Sequence, residues 1–292
     1  MRHFTIAAAF SLVSLSVQAA ELRTFADQRA LAAEAKISVR NLAGVIEVEG
    51  WDKAEFDLAA TLGESAEKVE ITGNANDLRV EVKNRRTNFS YGDGDTRLKL
   101  RVPAAALLNL EGTSTHIVVR GTRGSITANS VSGDVDLAVA ARQINAQTVS
   151  GDLRLDAPAA RETKLNTVSG DTRVRAVSGA LSAESVSGDV EIQGGSFAQL
   201  DLKSVSGDIG VQTDFAGDAQ VKAESLSGDV RVNVPATLSA EATLKSFSGE
   251  LRSDFQPVRA ASSSKRLVLK IGEGRGQFLL TSFSGDVTLD KQ

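Results

Sequence analysis

The residues with chemistry to offer are carboxylates, and they return at a near-constant interval. Ser-Gly followed by an acid occurs at Ser132-Gly133-Asp134, Ser150-Gly151-Asp152, Ser169-Gly170-Asp171, Ser187-Gly188-Asp189, Ser206-Gly207-Asp208 and Ser227-Gly228-Asp229, and again at Ser248-Gly249-Glu250 and Ser284-Gly285-Asp286. The glycines are 18, 19, 18, 19, 21, 21 and 36 residues apart. Stacked at strand spacing, neighbouring like charges repel by about 1 kcal/mol each in water, so something must offset them. One reading places a cation, a sugar or a protein partner along the Ser/Asp wall. The other is local: glycine permits a bend while Ser and Asp bond nearby backbone groups.

Calcium is the cation to weigh. Calcium-binding β-rolls also use 18 residues per coil, but their repeat is G-G-x-G-x-D. Here Gly and Asp are adjacent and the half-period copies mostly lack the acid. The sequence therefore predicts no cofactor, with calcium kept as the alternative. His116, in Thr115-His116-Ile117, is the only histidine beyond the first three residues and takes the acid's slot in an earlier coil. A Ser-His-Asp triad would have to use it, and a lone outward histidine reads as an ordinary surface residue. With no cysteine and one histidine, zinc and thiol chemistry lack ligands. Glycan-cleaving β-helices need a carboxylate cluster that breaks the repeat. This repeat runs without a long insertion from 115 to 250, so no enzyme is expected.

A second candidate is basic. Arg79, Lys83, Arg97, Lys99 and Arg101 alternate with inward Leu98, Leu100 and Val102 and are expected to share one outer face. They would suit an anionic lipid or glycan, or would be a solvated strand face interleaved with Glu81.

The elements that must position these groups are strands. Around each glycine, apolar residues recur two before it (Val131 through Phe283), two after it (Val135 onwards) and four after it (Leu137 onwards). Period-two alternation predicts that Val131, Gly133, Val135 and Leu137 face inward, with Ser132, Asp134 and Asp136 outward. Gly124, Gly179 and Gly276 mark a half-period nine residues from a main glycine. Together these predict an all-β fold, a parallel β-solenoid with two short strands per coil on opposite walls. From Thr115 to Gly285 about nine steps at ~4.8 Å give roughly 43 Å. The final gap of 36 reads as a coil that lost its signature near Leu267, with Ser262-Ser263-Ser264 and Lys265-Arg266 a loop between coils. Four prolines in the chain suit a strand ladder. Asp290, Lys291 and Gln292 are expected to protect the last edge with charge.

Residues 21–105 read as an N-terminal β region capping the solenoid of 106–292. Strands are expected near 55–62, 68–72, 77–84 and 96–102, with extended chain over 21–35. Asn74-Ala75-Asn76-Asp77 is expected to be a hairpin turn, and Asn88 to Asp95 an exposed loop.

Residues 1–20 join a basic start, an apolar stretch from Phe4 to Val17 and small residues at Ala19-Ala20, the pattern of a cleaved signal peptide. The mature chain is then expected to be exported and soluble, periplasmic or secreted, without a transmembrane segment. The absence of cysteine closes the lipoprotein and disulfide routes. Cleavage takes Lys+Arg from 33 to 32 against 37 acids, a net charge of −5, which argues against nucleic acid. Aromatics at 4% suit a thin core of Val, Leu, Ile and Ala.

"ISVRNLAGVIEVEGW" from Ile37, "RLKLRVPAAALLNLEG" from Arg97 and the serial "SVSGDV" units, in that order, resemble the bacterial putative-adhesin family, a domain of unknown function in exported and envelope proteins. The resemblance covers residue 36 to the end. It implies a β-helix-like fold, an envelope setting and no catalytic residues. The expected function is a non-enzymatic envelope-binding or structural module with a glycan or protein partner. The alternatives are an accessory or sensor protein in envelope stress and, behind it, a carbohydrate-active enzyme.

Overall fold

The computed structural model describes residues 23–85, 96–260 and 265–292. The expected leader, the loop at 88–95 and Ser262 to Ser264 lie outside them. The described residues form 23 strands and no helix, so none could cross a membrane as one. Each coil has two walls. The first wall stacks Ile126–Ser132, Gln143–Ser150, Glu162–Ser169 and Gly179–Ser187 in parallel. The second stacks Val135–Ala138, Leu153–Asp156 and Thr172–Arg175, also in parallel. Ser-Gly-Asp makes the corner between them, and the half-period glycines stand at the opposite corner.

The core is the narrow space between the walls. Ile126 and Ala128 point into it from one side and Val135 and Leu137 from the other, all buried. Fully burying such an aliphatic side chain contributes about 1.5–3 kcal/mol. A single coil leaves its upper and lower strand edges unpaired, and its neighbours satisfy them, so stability belongs to the stack.

The inward phase shifts at the corner. Residues 126, 128 and 130 face inward before it, and 135 and 137 after it. The corner therefore consumes an odd residue, and the alternation drawn straight through Val131 and Gly133 does not hold. Val131, Val149, Val168, Val186 and Val205, then Leu226, Phe283 and Phe247, continue the outward series of the first wall. They are 45–67% exposed.

Lys36–Trp51 is a complete coil, parallel to Leu107–Arg120 on both walls. Asp77–Asn84 and Thr96–Pro103 supply the rung before it, one on each wall. Ala66–Gly73 then closes the first wall antiparallel. Glu55–Leu62 and Arg23–Ala30 close the second antiparallel. Asn74 Oδ1 accepts the amides of Asn76 (2.8 Å) and Asp77 (3.2 Å), the expected turn.

The C-terminal end departs from the expected order. No coil near Leu267 has lost its signature: Arg266–Ile271 runs antiparallel to Ala240–Ser246 as half of a closing hairpin. The last coil turns back and inserts. Gly276–Ser284 lies between the strands ending at Ser227 and Ser246, and Val287–Lys291 between Val230–Val234 and Leu251–Ser253. Asp290 and Lys291 thus sit on an interior strand and protect no edge.

That placement has a consequence for Asp290. Partial burial pushes its carboxyl above the usual aspartate range and Asp254 adds to this, while Arg252 pulls the other way. A raised folded-state pKa means that the native state holds the proton more tightly. The stability this confers is present at acid pH and is lost as pH rises through the folded value. Asp290→Asn is expected to raise Tm near pH 7 by about 1 °C, the response to a few tenths of a kcal/mol in a chain of this size. The gain should vanish in melts below about pH 3, where aspartate is protonated in both states. An equal gain at both pH values would refute the assignment.

Candidate functional site

The Ser-Gly-Asp corner is built from five positions, each stacked once per rung. Three residues before the glycine is a buried hydroxyl: Ser130, Thr148, Thr167, Ser185, Ser204, Ser225, Ser282 or Ser246. Several of these cap carbonyls that the turn leaves over. Thr148 donates to Gly133 O at 3.2 Å, Ser225 to Gly207 O at 3.1 Å and Ser282 to Gly228 O at 2.8 Å. Next come the exposed apolar residue and the exposed serine. The glycine follows with φ of 137° at Gly170 and 142° at Gly188, where L side chains are strained.

The acid closes the corner, and it stands there rather than along the face of either wall. Its Oδ1 accepts the backbone N–H of the acid one rung on: Asp152 N to Asp134 (2.9 Å), Asp171 N to Asp152 (3.1 Å), Asp189 N to Asp171 (3.1 Å) and Asp208 N to Asp189 (2.8 Å). Asp229 N to Asp208, Asp286 N to Asp229 (both 2.8 Å) and Glu250 N to Asp286 (2.9 Å) continue the ladder through the inserted coil. The outer oxygens meet arginines placed two residues after an acid. Arg154 bridges Asp152 (2.6 Å) and Asp134 (3.5 Å), and Arg173 bridges Asp171 (2.7 Å) and Asp152 (3.6 Å). Arg231 spans Asp229 and Asp208, and Arg252 spans Glu250 and Asp286. The repulsion expected of stacked carboxylates is thus offset from within the chain, by the amide ladder and, at the acids other than Asp189, by guanidinium groups. Among the described residues no three His, Asp or Glu side chains converge as a metal site.

His116 Nδ1 stands 3.9 Å from Asp134 Oδ2. Ser130 does not complete a triad with them, because its hydroxyl donates to Thr115 O at 2.8 Å. What the corner offers chemically is a linear array of serine hydroxyls beside carboxylate–guanidinium pairs, suited to hydrogen bonding.

The basic residues do not form one face. Arg79 and Lys83 are on Asp77–Asn84 of the first wall, while Arg97, Lys99 and Arg101 are on Thr96–Pro103 of the second. Coil geometry separates them, because Asn84 ends a strand of the first wall and Thr96 begins one of the second. Most are also neutralised. Arg97 and Lys99 reach Glu47 at 3.0 and 3.7 Å, Arg101 pairs with Asp57, and Lys83 with Glu81 at 2.7 Å. The Lys83 ammonium holds the Glu81 carboxyl below the usual range. Arg40 does the same to Glu111, 2.5 Å away.

The buried hydroxyl column and the arginine column were both present in the repeat as written. Recurrence of Ser or Thr three before every glycine was the signal for the first.

Among curated proteins none matches the chain. Several solved structures align with the chain at low identity and low TM-score. One from Bacteroides fragilis, described as a putative adhesin, is 12% identical, with 92% of this chain and 97% of that one covered and a TM-score of 0.45. One from Parabacteroides distasonis, also described as a putative adhesin, is 14% identical over 93% and 98%, with a TM-score of 0.30. Another from the same organism, described as a putative lipid binding protein, is 14% identical over 92% and 96%, with a TM-score of 0.34. The family model described as Toastrack DUF4097 matches residues 35–290, which spans the first complete coil through the inserted last strand, and the chain belongs to that family.

Proposed function

We propose that the chain is a non-enzymatic, exported binding module of the cell envelope, and that its Ser-Gly-Asp corner lies along a partner with a repeating, hydroxyl-rich surface, an envelope polysaccharide. The observation that carries this reading is the register of the corner. Ser150, Ser169, Ser187 and Ser206 are exposed and stacked one per rung. The amide–carboxylate ladder beneath fixes their spacing at ~4.8 Å. Groups at equal intervals on a rigid support lose little entropy on binding a repetitive ligand. Arg154 and Arg173 extend the array with charged donors. The apolar start and small residues of 1–20 support export.

The test is co-sedimentation of the purified chain with insoluble peptidoglycan and with lipopolysaccharide vesicles, scored with the release of new reducing ends in the same tubes. Wild type is expected to sediment without cleavage. Ser169→Ala, Ser187→Ala and Ser206→Ala combined should keep the wild-type Tm and lose at least tenfold in retention. Unchanged retention would remove the corner as the binding surface. New reducing ends would overturn the non-enzymatic reading. Retention on neither material would move the partner to a protein.

A further inference from the structure

The first wall carries a feature the polysaccharide reading does not use. Eight apolar side chains, one per rung from Val131 to Phe247, form a continuous exposed stripe. Each rung adds ~4.8 Å, so the stripe is about 34 Å long. Its exposed area is on the order of 600 Å², the top of the range a monomer ordinarily leaves open. Nothing in the fold requires it, because these positions point away from the core. It lies on the outer face of the first wall, one residue before the corner serines, whereas the arginines look out from the second wall. The stripe therefore borders the proposed polysaccharide site, and its valines can be changed without touching the serines.

We propose that this stripe is a homodimer interface in which two copies pack their first walls face to face, with antiparallel solenoid axes and all eight rungs overlapping. Three observations select a second copy as the occupant. The first is size. The stripe has small side chains at one end and large ones at the other, where Phe247 and Phe283 stack with centroids 4.7 Å apart. Antiparallel overlap sets those two rings against Val131 and Val149 of the second copy, and Leu226 against Val168. Parallel overlap would set ring against ring.

The second is charge. A two-fold axis across the stripe brings the adjacent outward column of one copy against the same column of the other. Its two central members are Glu184 and Lys203, neighbours at 3.0 Å within one chain. Under the two-fold each Glu184 meets the other copy's Lys203, twice by symmetry. Farther along, Glu224 meets Asn166 and Lys245 meets Asn129, so no like charges face each other in this column. One column farther out Lys164 approaches Lys222, whose charge Glu224 already balances at 2.8 Å. The third is area. The stripe and this column together approach the ~800 Å² per partner of a standard interface.

Sedimentation velocity of the purified chain across micromolar to hundred-micromolar concentrations tests the proposal. Wild type is expected to be dimeric over most of that range. Val186→Glu combined with Val205→Glu, at the centre of the stripe, should give a monomer with the wild-type Tm, because both side chains are exposed. Glu184→Lys should weaken dimerisation at least tenfold, and adding Lys203→Glu should restore it. A monomeric wild type at every concentration would overturn the proposal. So would a dimer indifferent to the Val186/Val205 pair, or one indifferent to Glu184→Lys. A monomer that floats with phosphatidylethanolamine–phosphatidylglycerol vesicles, and loses this with the valine pair, would assign the stripe to lipid instead. Dimer loss without loss of polysaccharide retention, or the reverse, separates this proposal from the binding reading.

Discussion

Replacing Gly170 with alanine is expected to lower the unfolding free energy by about 3 kcal/mol, and replacing Gly210 is not. At Gly170 two penalties add. A φ of 137° is a conformation that L side chains rarely adopt, and holding a residue there costs about 1–3 kcal/mol. A methyl group would also overlap the carbonyl oxygen of Gly151 on the rung below. Overpacking costs a further 1–3 kcal/mol, and here the obstacle is backbone, which cannot turn aside as a side chain would. The only relief is to open the rung spacing, which breaks the ladder at Asp171. Gly210 lies in a strand with nothing within 4 Å of where a Cβ would stand. There alanine restricts the unfolded chain and should be neutral or stabilising by up to about 1 kcal/mol. Urea midpoints at constant slope compare the two variants directly. A Gly170→Ala midpoint equal to wild type would mean that the corner is looser than the stacked geometry allows.

That glycine was legible from the repeat, and so was the all-β solenoid with two strands per coil. The direction of the valine beside it was not. Alternation assigns a face only within an unbroken strand, and Ser132-Gly133 inserts a turn that shifts the phase by one. A Val two before the glycine and a Val two after it look equivalent on paper, yet Val131 is half exposed and Val135 fully buried. The buried hydroxyl at Ser130, next to Val131, held the contrary clue: a polar residue facing the core wants a partner there, and the turn's spare carbonyls supply it.

Rung order was the second thing hidden. A gap of 36 residues from Gly249 to Gly285 fits two coils as well as it fits a hairpin followed by a returning strand. Local pattern cannot choose between them, because the difference is a long-range pairing of Val230 with Val287 and of Val287 with Leu251. The same limit applies to the basic residues. Lys83 and Arg97 lie 14 positions apart, and only the crossing from one wall to the other shows that they point away from each other. For the acids, even spacing was readable, but their engagement was not. Arg154 two residues after Asp152 is an unremarkable pair until stacking brings Asp134 within reach of the same guanidinium group.

The acid ladder makes the second large prediction, and it depends on which atom is lost. Asp189→Ala removes the acceptor of the Asp208 amide at 2.8 Å. The bond is exposed, and a hydrogen bond to a charged acceptor contributes about 1.5–3 kcal/mol. Asp189→Asn keeps an Oδ1 in the same place and removes only the charge. Among the described residues Asp189 makes no ion pair, unlike Asp171 and Asp208 on either side, so the amide bond can be weighed there nearly alone. Alanine at Asp189 should therefore cost about 2 kcal/mol and asparagine a few tenths. Combining Asp171→Ala, Asp189→Ala and Asp208→Ala should cost about 5 kcal/mol or more, since three consecutive rung bonds are lost and Arg173 loses its nearest partner. The matching triple asparagine variant should stay folded with three charges removed. Chemical denaturation of the four variants tests this. If asparagine proved as damaging as alanine, the carboxylates would be acting through charge, and the reading of the column as a backbone clamp would fail. If both sets stayed stable, the stack would owe its cohesion to the walls alone, and the regular Asp would have to be explained by what binds it. The clamp predicts the split between the two substitutions, and that split also defines the usable reagent: the triple asparagine chain is the one in which loss of binding can be charged to the acids and not to an unravelled corner.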